Sequence, residues 1–305
     1  MKKLIFILVI LISGLGPTRA QQDAIYSQYM FNPFAINPAY AGSRDAFSAV
    51  LLHRAQWLGL DGAPQTSSLA VHSPFRGTNM AAGLNVFSDR LGPTSNFGAA
   101  ATYAYHLNLR KGKLSLGVRA GIYSSTLDRS QLDYYQGGDP YDQGGGVNAT
   151  VPSFDFGVYY YGTKVFAGLS ATHLGGSNAL YNNDSQIALD LDQHYIAFGG
   201  VALPISKNVI MRPTTYLKYV VGSPFNADVN VSFLFKKIFW LGAGYRSSGS
   251  INLLAEFNIT PFLRMGYSYD AIVSSLRKHN IGTHELFIGI DFNLKKDRVI
   301  SPRFM

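Results

Sequence analysis

The side chains of this sequence that could do chemistry come in groups that stop short of a reactive constellation. His284-Glu285 opens like a zinc-binding His-Glu-x-x-His pattern, but position 288 is Ile. The stretch around it alternates like a strand, where such ligands would not share a helical face. The 7 histidines are scattered, with no two at metal-ligand spacing, so no metal centre is expected. No Gly-x-Ser-x-Gly elbow or phosphate-binding Gly loop is present, and no acidic or amide partner can be assigned to any Ser-His pair. Cysteine is absent, which excludes disulfides and thiolate metal sites. Asp139 and Asp142 among glycines, and Asp190 and Asp192 in Leu-Asp-Leu-Asp, could hold calcium through oxygen ligands. They could equally be the turning and solvating groups of long loops. Neither an enzyme nor a cofactor is expected.

A second set of charges is more orderly. Arg119, Asp155, Arg212, Lys218, Asp228, Glu256, Arg264, Asp270, Glu285 and Asp291 each fall on the polar side of an alternating stretch. In 225–235, Ala227, Val229, Val231, Phe233 and Phe235 oppose Asn226, Asp228, Asn230 and Ser232. In 113–123, Leu114, Leu116, Val118, Ala120 and Ile122 oppose Ser115, Gly117, Arg119 and Gly121. In 282–294, Leu286, Ile288, Ile290, Phe292 and Leu294 oppose Glu285, Gly289, Asp291 and Asn293, with Phe287 the one large apolar exception. Side chains alternate across a strand, so each stretch builds one apolar and one polar wall. The polar walls are rich in Gly, Ser and Asn with isolated charges, which suits a crowded interior better than a solvated face. There the nearly balanced charges would form either an ion path or a neutralising network, and burial favours paired over isolated charges.

Fourteen such strands are expected, over 44–54, 64–73, 80–88, 95–107, 113–124, 153–162, 163–173, 193–203, 208–221, 225–236, 237–246, 250–259, 261–271 and 282–294. Their length, about ten residues, crosses a bilayer when tilted. The long connections, 125–152 and 174–192, fall at odd-numbered turns, and the connections at even-numbered turns are short. Long loops outside and short turns inside are the asymmetry of an outer-membrane β-barrel, and the even strand count agrees. Trp57, Trp240, Phe239, Tyr267 and Tyr269 lie near strand ends, where interfacial girdle aromatics belong.

Residues 1–20 carry Lys2 and Lys3, an apolar run from Leu4 to Ile12 and a small-residue cleavage site ending at Ala20, the pattern of an export signal. Without Lys2, Lys3 and Arg19 the chain holds 23 basic against 18 acidic residues, with no basic cluster, so no nucleic-acid partner is expected. The chain therefore divides into a signal peptide over 1–20, an irregular segment over 21–43 and an all-β transmembrane antiparallel barrel over 44–305.

The irregular segment fits neither helix nor strand. Residues 26–43 read Tyr-Ser-Gln-Tyr-Met-Phe-Asn-Pro-Phe-Ala-Ile-Asn-Pro-Ala-Tyr-Ala-Gly-Ser. Each Pro fixes φ, lacks a donor and pushes the preceding Asn out of the helical region, giving a stiff, turned strip with aromatics. This strip, with Arg54-Ala55-Gln56-Trp57, Pro64-Gln65-Thr66, His72-Ser73-Pro74 and the closing Ser301-Pro302-Arg303-Phe304, resembles the PorP/SprF family. The resemblance implies an outer-membrane protein of the Bacteroidota type IX secretion and gliding-motility machinery. Such a protein would support secretion or surface anchoring of a large adhesin, through the adhesin's C-terminal domain, and contact periplasmic secretion components. In either a plug in the barrel's periplasmic mouth or a partner-contact surface, the residues expected to carry the role are Tyr29, Phe31, Asn32, Pro33, Asn37, Pro38 and Tyr40. The alternative function is an outer-membrane channel for small apolar solutes.

Overall fold

The computed structural model describes residues 23–132, 145–175, 178–180, 188–273 and 275–293. Residues 1–20, Asp139, Asp142 and the closing Ser301 to Phe304, singled out above, lie outside them. In chain order the strands are β1 (Ala46–Ala55), β2 (Gln65–Pro74), β3 (Met80–Leu91), β4 (Thr94–Leu109), β5 (Gly112–Asp128), β6 (Gly146–Tyr161), β7 (Val165–Thr172), β8 (Asn178–Leu180) and β9 (Ala188–Asp190). They continue with β10 (His194–Val201), β11 (Leu203–Ser206), β12 (Val209–Val220), β13 (Asn226–Phe235), β14 (Phe239–Arg246), β15 (Ser250–Asn258), β16 (Leu263–Ile272) and β17 (Thr283–Asn293).

Each strand pairs antiparallel with its neighbours, and β1 closes on β17 from Ala46↔Asn293 to Ala55↔His284, giving a closed fourteen-stranded barrel. Closure leaves the barrel sheet without open sides, which a bilayer requires because hydrocarbon offers backbone groups no partner. The fourteen wall positions coincide with the alternating stretches. Two differences concern ends. β5 and β6 pair out to Asp128↔Gly146, so 125–128 and 146–152 are strand and not loop. The eighth wall strand is broken at Ala202 into β10 and β11, both paired with β12. The connection 173–193 contains a small hairpin, β8–β9. Leu189 of that hairpin and Leu191 pack on Tyr123 and Val147 of the extended β5–β6 pair.

Alternation decides the two surfaces. Leu51, Val118, Leu169, Val229 and Leu253 face outwards, with Leu169 61% exposed, whereas Glu285 on an inward face is 1% exposed. The outward wall meets lipid. The long connections gather at one end of the barrel, the loop end, while β1 starts and β17 finishes at the other, the turn end.

Candidate functional site

The interior is occupied by the chain's own N-terminal strip. Each Asn-Pro pair starts a single 3-10 turn, Pro33–Ala35 and Pro38–Tyr40, with Pro in the first turn, where its missing donor costs nothing. Asn32 and Asn37 sit in the cap positions. Asn37 Oδ1 accepts from the Ala39 N–H at 2.8 Å, while its Nδ2 donates to the carbonyls of Val158 (3.1 Å) and Leu169 (3.0 Å) on the barrel wall. The wall is smooth where this turn lies. A Cβ at Gly117 would stand 2.3 Å from Ala39 N, and one at Gly157 2.1 Å from Asn37 Oδ1. Gly117 on β5 thus admits the strip's backbone, and Gly157 on β6 the side chains of Asn37 and Pro38.

Asn37→Ala should cost about 0.5–2 kcal/mol for the lost cap. The check is earlier protease cleavage within residues 33–41 at unchanged barrel folding; wild-type cleavage kinetics would refute the anchoring role of Asn37.

The seven residues named from the sequence are together in the lumen. Tyr29, Phe31, Asn32, Asn37 and Tyr40 are at most 6% exposed, and Pro33 and Pro38 are buried. None presents a surface at the barrel mouth. The strip also runs further than a periplasmic mouth plug would: Ser27 reaches the loop-end residues Arg54, Asp270 and Glu285, and Arg44 pairs with Asp291 at the turn end. Tyr29 packs on Tyr216 at 5.0 Å and Tyr40 on Tyr159 at 5.2 Å. The Tyr29 hydroxyl donates to Thr214 Oγ1 at 3.4 Å.

Phe31 meets Phe287 and Trp240 at 6.0 Å each, and the Arg212 guanidinium lies 3.9 Å from the Trp240 ring centroid and 4.8 Å from that of Phe31. Phe287, the apolar exception on its strand, is therefore a docking surface. Trp240 is fully buried in the lumen and corrects the girdle assignment, because its position on β14 is an inward one. Trp57 lines the loop-end cavity, while Tyr267 and Tyr269 lie on outward positions of β16.

The inward charges grip the strip and one another. Glu285 accepts the backbone N–H groups of Ser27 and Gln28 at 2.9 Å each and pairs with Arg54 at 3.0 Å. Asp270 binds Ser27 Oγ (2.6 Å), Arg54 and Arg246, and Arg246 also pairs with Asp228 at 2.9 Å. Arg264 donates to the Phe31 carbonyl at 3.1 Å and pairs with Asp291 and Glu256. Arg119 donates to the carbonyls of Phe34 and Ala35 and pairs with Asp155. Of the two readings left open for these charges, the geometry is that of a paired network. Arg44 and Arg246 were not singled out in the sequence: Arg44 opens the expected stretch 44–54 but lies just before β1, and Arg246 ends β14.

At the loop end, Asp23 lies against His173 (3.1 Å) and His194 (2.9 Å), two histidines at opposite ends of the β7–β10 connection. Their spacing along the chain gave no signal. Asp190 and Asp192 line a loop-end cavity of about 860 Å³ with Asp23, Arg54 and Trp57.

A closed barrel with a lipid-facing apolar wall and a lumen packed with its own chain defines an integral outer-membrane protein of the β-barrel class. The chain belongs to the type IX secretion system membrane protein PorP/SprF family, whose profile matches residues 18–290. None of the curated proteins matches it. Among solved structures it is similar to the CymD monoaromatic hydrocarbon channel, at 13% identity and TM-score 0.50, covering 91% of this chain and 96% of that one. It is also similar to a Pseudomonas aeruginosa FadL homologue at 10% identity and TM-score 0.48, covering 88% and 94%, and to Acinetobacter baumannii Omp33 at 10% and 0.45, covering 82% and 100%. These likenesses are of fold.

Proposed function

We propose that this protein is a non-enzymatic accessory of type IX secretion that supports the secretion or surface anchoring of one large adhesin through protein contacts. Residues 1–20 direct its export, and gliding motility is served where the anchored adhesin is a motility adhesin. The loop-end surface, built from the 129–145 and 173–193 connections, holds the adhesin's C-terminal domain. The short turns and the strip's exit at Arg44-Asp45 face the periplasmic secretion components.

One observation carries this reading: the lumen is occupied by an internal strip bonded to the wall along its whole course. A filled barrel works through its surfaces, whereas a channel for small apolar solutes needs a path past Phe31, Trp240 and Arg212. The test is a mild-detergent pull-down from the native envelope, with bound proteins identified by mass. A large surface adhesin and periplasmic secretion components should co-purify, and shortening the two loops should release the adhesin alone. A folded barrel recovered without partners, and conducting in planar bilayers, would favour the channel instead.

A further inference from the structure

We propose that Asp23, His173 and His194 form a site for a divalent transition metal of the zinc class, which fastens the start of the lumen strip to the base of the β7–β10 loop. One oxygen, Asp23 Oδ2, lies 3.1 Å from His173 Nε2 and 2.9 Å from His194 Nδ1. The three ligand atoms all fall within 4.8 Å of one another, and no other group of three such side chains does so among the described residues. Zinc bonds of about 2.0–2.2 Å in a tetrahedron place neighbouring ligand atoms about 3.4 Å apart, so the ion enters by a small outward shift. Two imidazoles and a carboxylate leave one coordination position open. Asp23 also lines the loop-end cavity, from which water can fill it.

Two features distinguish this cluster from an ordinary ion pair. His194 is 0% exposed, and neither of its ring nitrogens makes a hydrogen bond of ordinary geometry, although Nδ1 points at Asp23. A buried ring nitrogen without a well-directed partner is costly, and an ion at Nδ1 gives that nitrogen one, while Nε2 stays unbonded. His173 has its other nitrogen occupied: Nδ1 lies 2.9 Å from Ser153 Oγ. That outer hydrogen bond leaves Nε2 to the cluster, the arrangement that orients histidine ligands around metals. The surrounding charges are tolerable for a cation. Lys218 Nζ bonds the Asp23 carbonyl, and Asp155, which accepts from His173 N, opposes it. His173 itself sits at a φ of 55°, in the left-handed region that few non-glycine residues enter.

The site couples two parts of the molecule: Asp23 opens the strip, and His173 and His194 flank the external loop. The mature protein, purified from outer membranes in detergent and stripped with EDTA, is to be titrated with zinc chloride and separately with cobalt chloride. One ion per chain should bind, in the presence of excess magnesium, with visible cobalt bands of a four-coordinate nitrogen–oxygen site. Ser153→Ala should weaken binding about 10–100-fold, the usual effect of losing an outer-shell partner. Asp23→Asn and His194→Gln should weaken it further, and zinc should slow hydrogen exchange at Ala24 and Ile25. Absence of saturable binding to the wild type would overturn the proposal. So would equal affinity in a D23N/H173Q/H194Q variant that still shows the heat-modifiable migration of a folded barrel. If that variant fails to fold, the S153A titration decides, and wild-type affinity there overturns the site.

Discussion

Deleting residues 23–43 should turn an electrically silent barrel into a conducting one. The strip supplies Tyr29, Phe31, Phe34 and Tyr40 to the interior cluster that also holds Leu52, Tyr159, Phe198, Trp240 and Phe287 of the wall. Without it, the inward charges that it contacts would be hydrated, and water would replace the strip's backbone as partner to Arg119, Arg264 and Glu285. The wall itself keeps its closed hydrogen-bond ladder, so the barrel should still fold and migrate as a heat-modifiable species. Single-channel recording in planar bilayers is the measurement. Wild-type protein should show no steady current at neutral pH, and the deletion a resolved, ohmic one. A deletion variant that stays silent while folded would mean that something other than the strip seals the lumen.

Glu285→Ala should be the most damaging single substitution in the lumen, at about 3–5 kcal/mol. Its carboxylate satisfies two consecutive backbone N–H groups and one face of Arg54. Truncation removes that partner from all three at a buried position, the side chains of Glu285 and Arg54 being 0% and 4% exposed. Glu285→Gln should fall between, because its amide nitrogen would meet a donor where an oxygen accepted one. Denaturant unfolding in micelles, with hydrogen exchange at Ser27 and Gln28, gives the ordering. An alanine variant within about 0.5 kcal/mol of wild type, the range of an inconsequential surface change, would show that the network does not hold the strip.

The barrel was legible because alternation is a local property: each wall strand states its own two faces, and the odd-even distribution of loop lengths states the closure. The strand ends at Asp128 and Gly146 were not, because the pairing of β5 and β6 continues past the residues that alternate clearly. The interior was harder to read for a different reason. Phe287 broke its strand's pattern and Trp240 looked like an interface residue, and both make sense only once a second segment of chain lies between them. The Asn-Pro strip announced stiffness through its backbone chemistry, yet nothing local says that it traverses the lumen. The cluster of Asp23, His173 and His194 left no trace in spacing, since its members come from the strip and from two ends of a loop.

Glu285 lies on the last strand, Arg54 lies on the first, and the two residues are partners across the β1–β17 pairing that completes the ring. Ser27 and Gln28 bond to the same carboxylate. Closing the ring and seating the strip therefore meet at one carboxylate, so each stabilises the other although the wall's backbone ladder closes by itself. The strip behaves as a clasp laid across the seam between the first and last strands. A lesion within it should appear as a loosened seam, with faster amide exchange along Ala46–Ala55 and Thr283–Asn293, before any other part of the wall gives way.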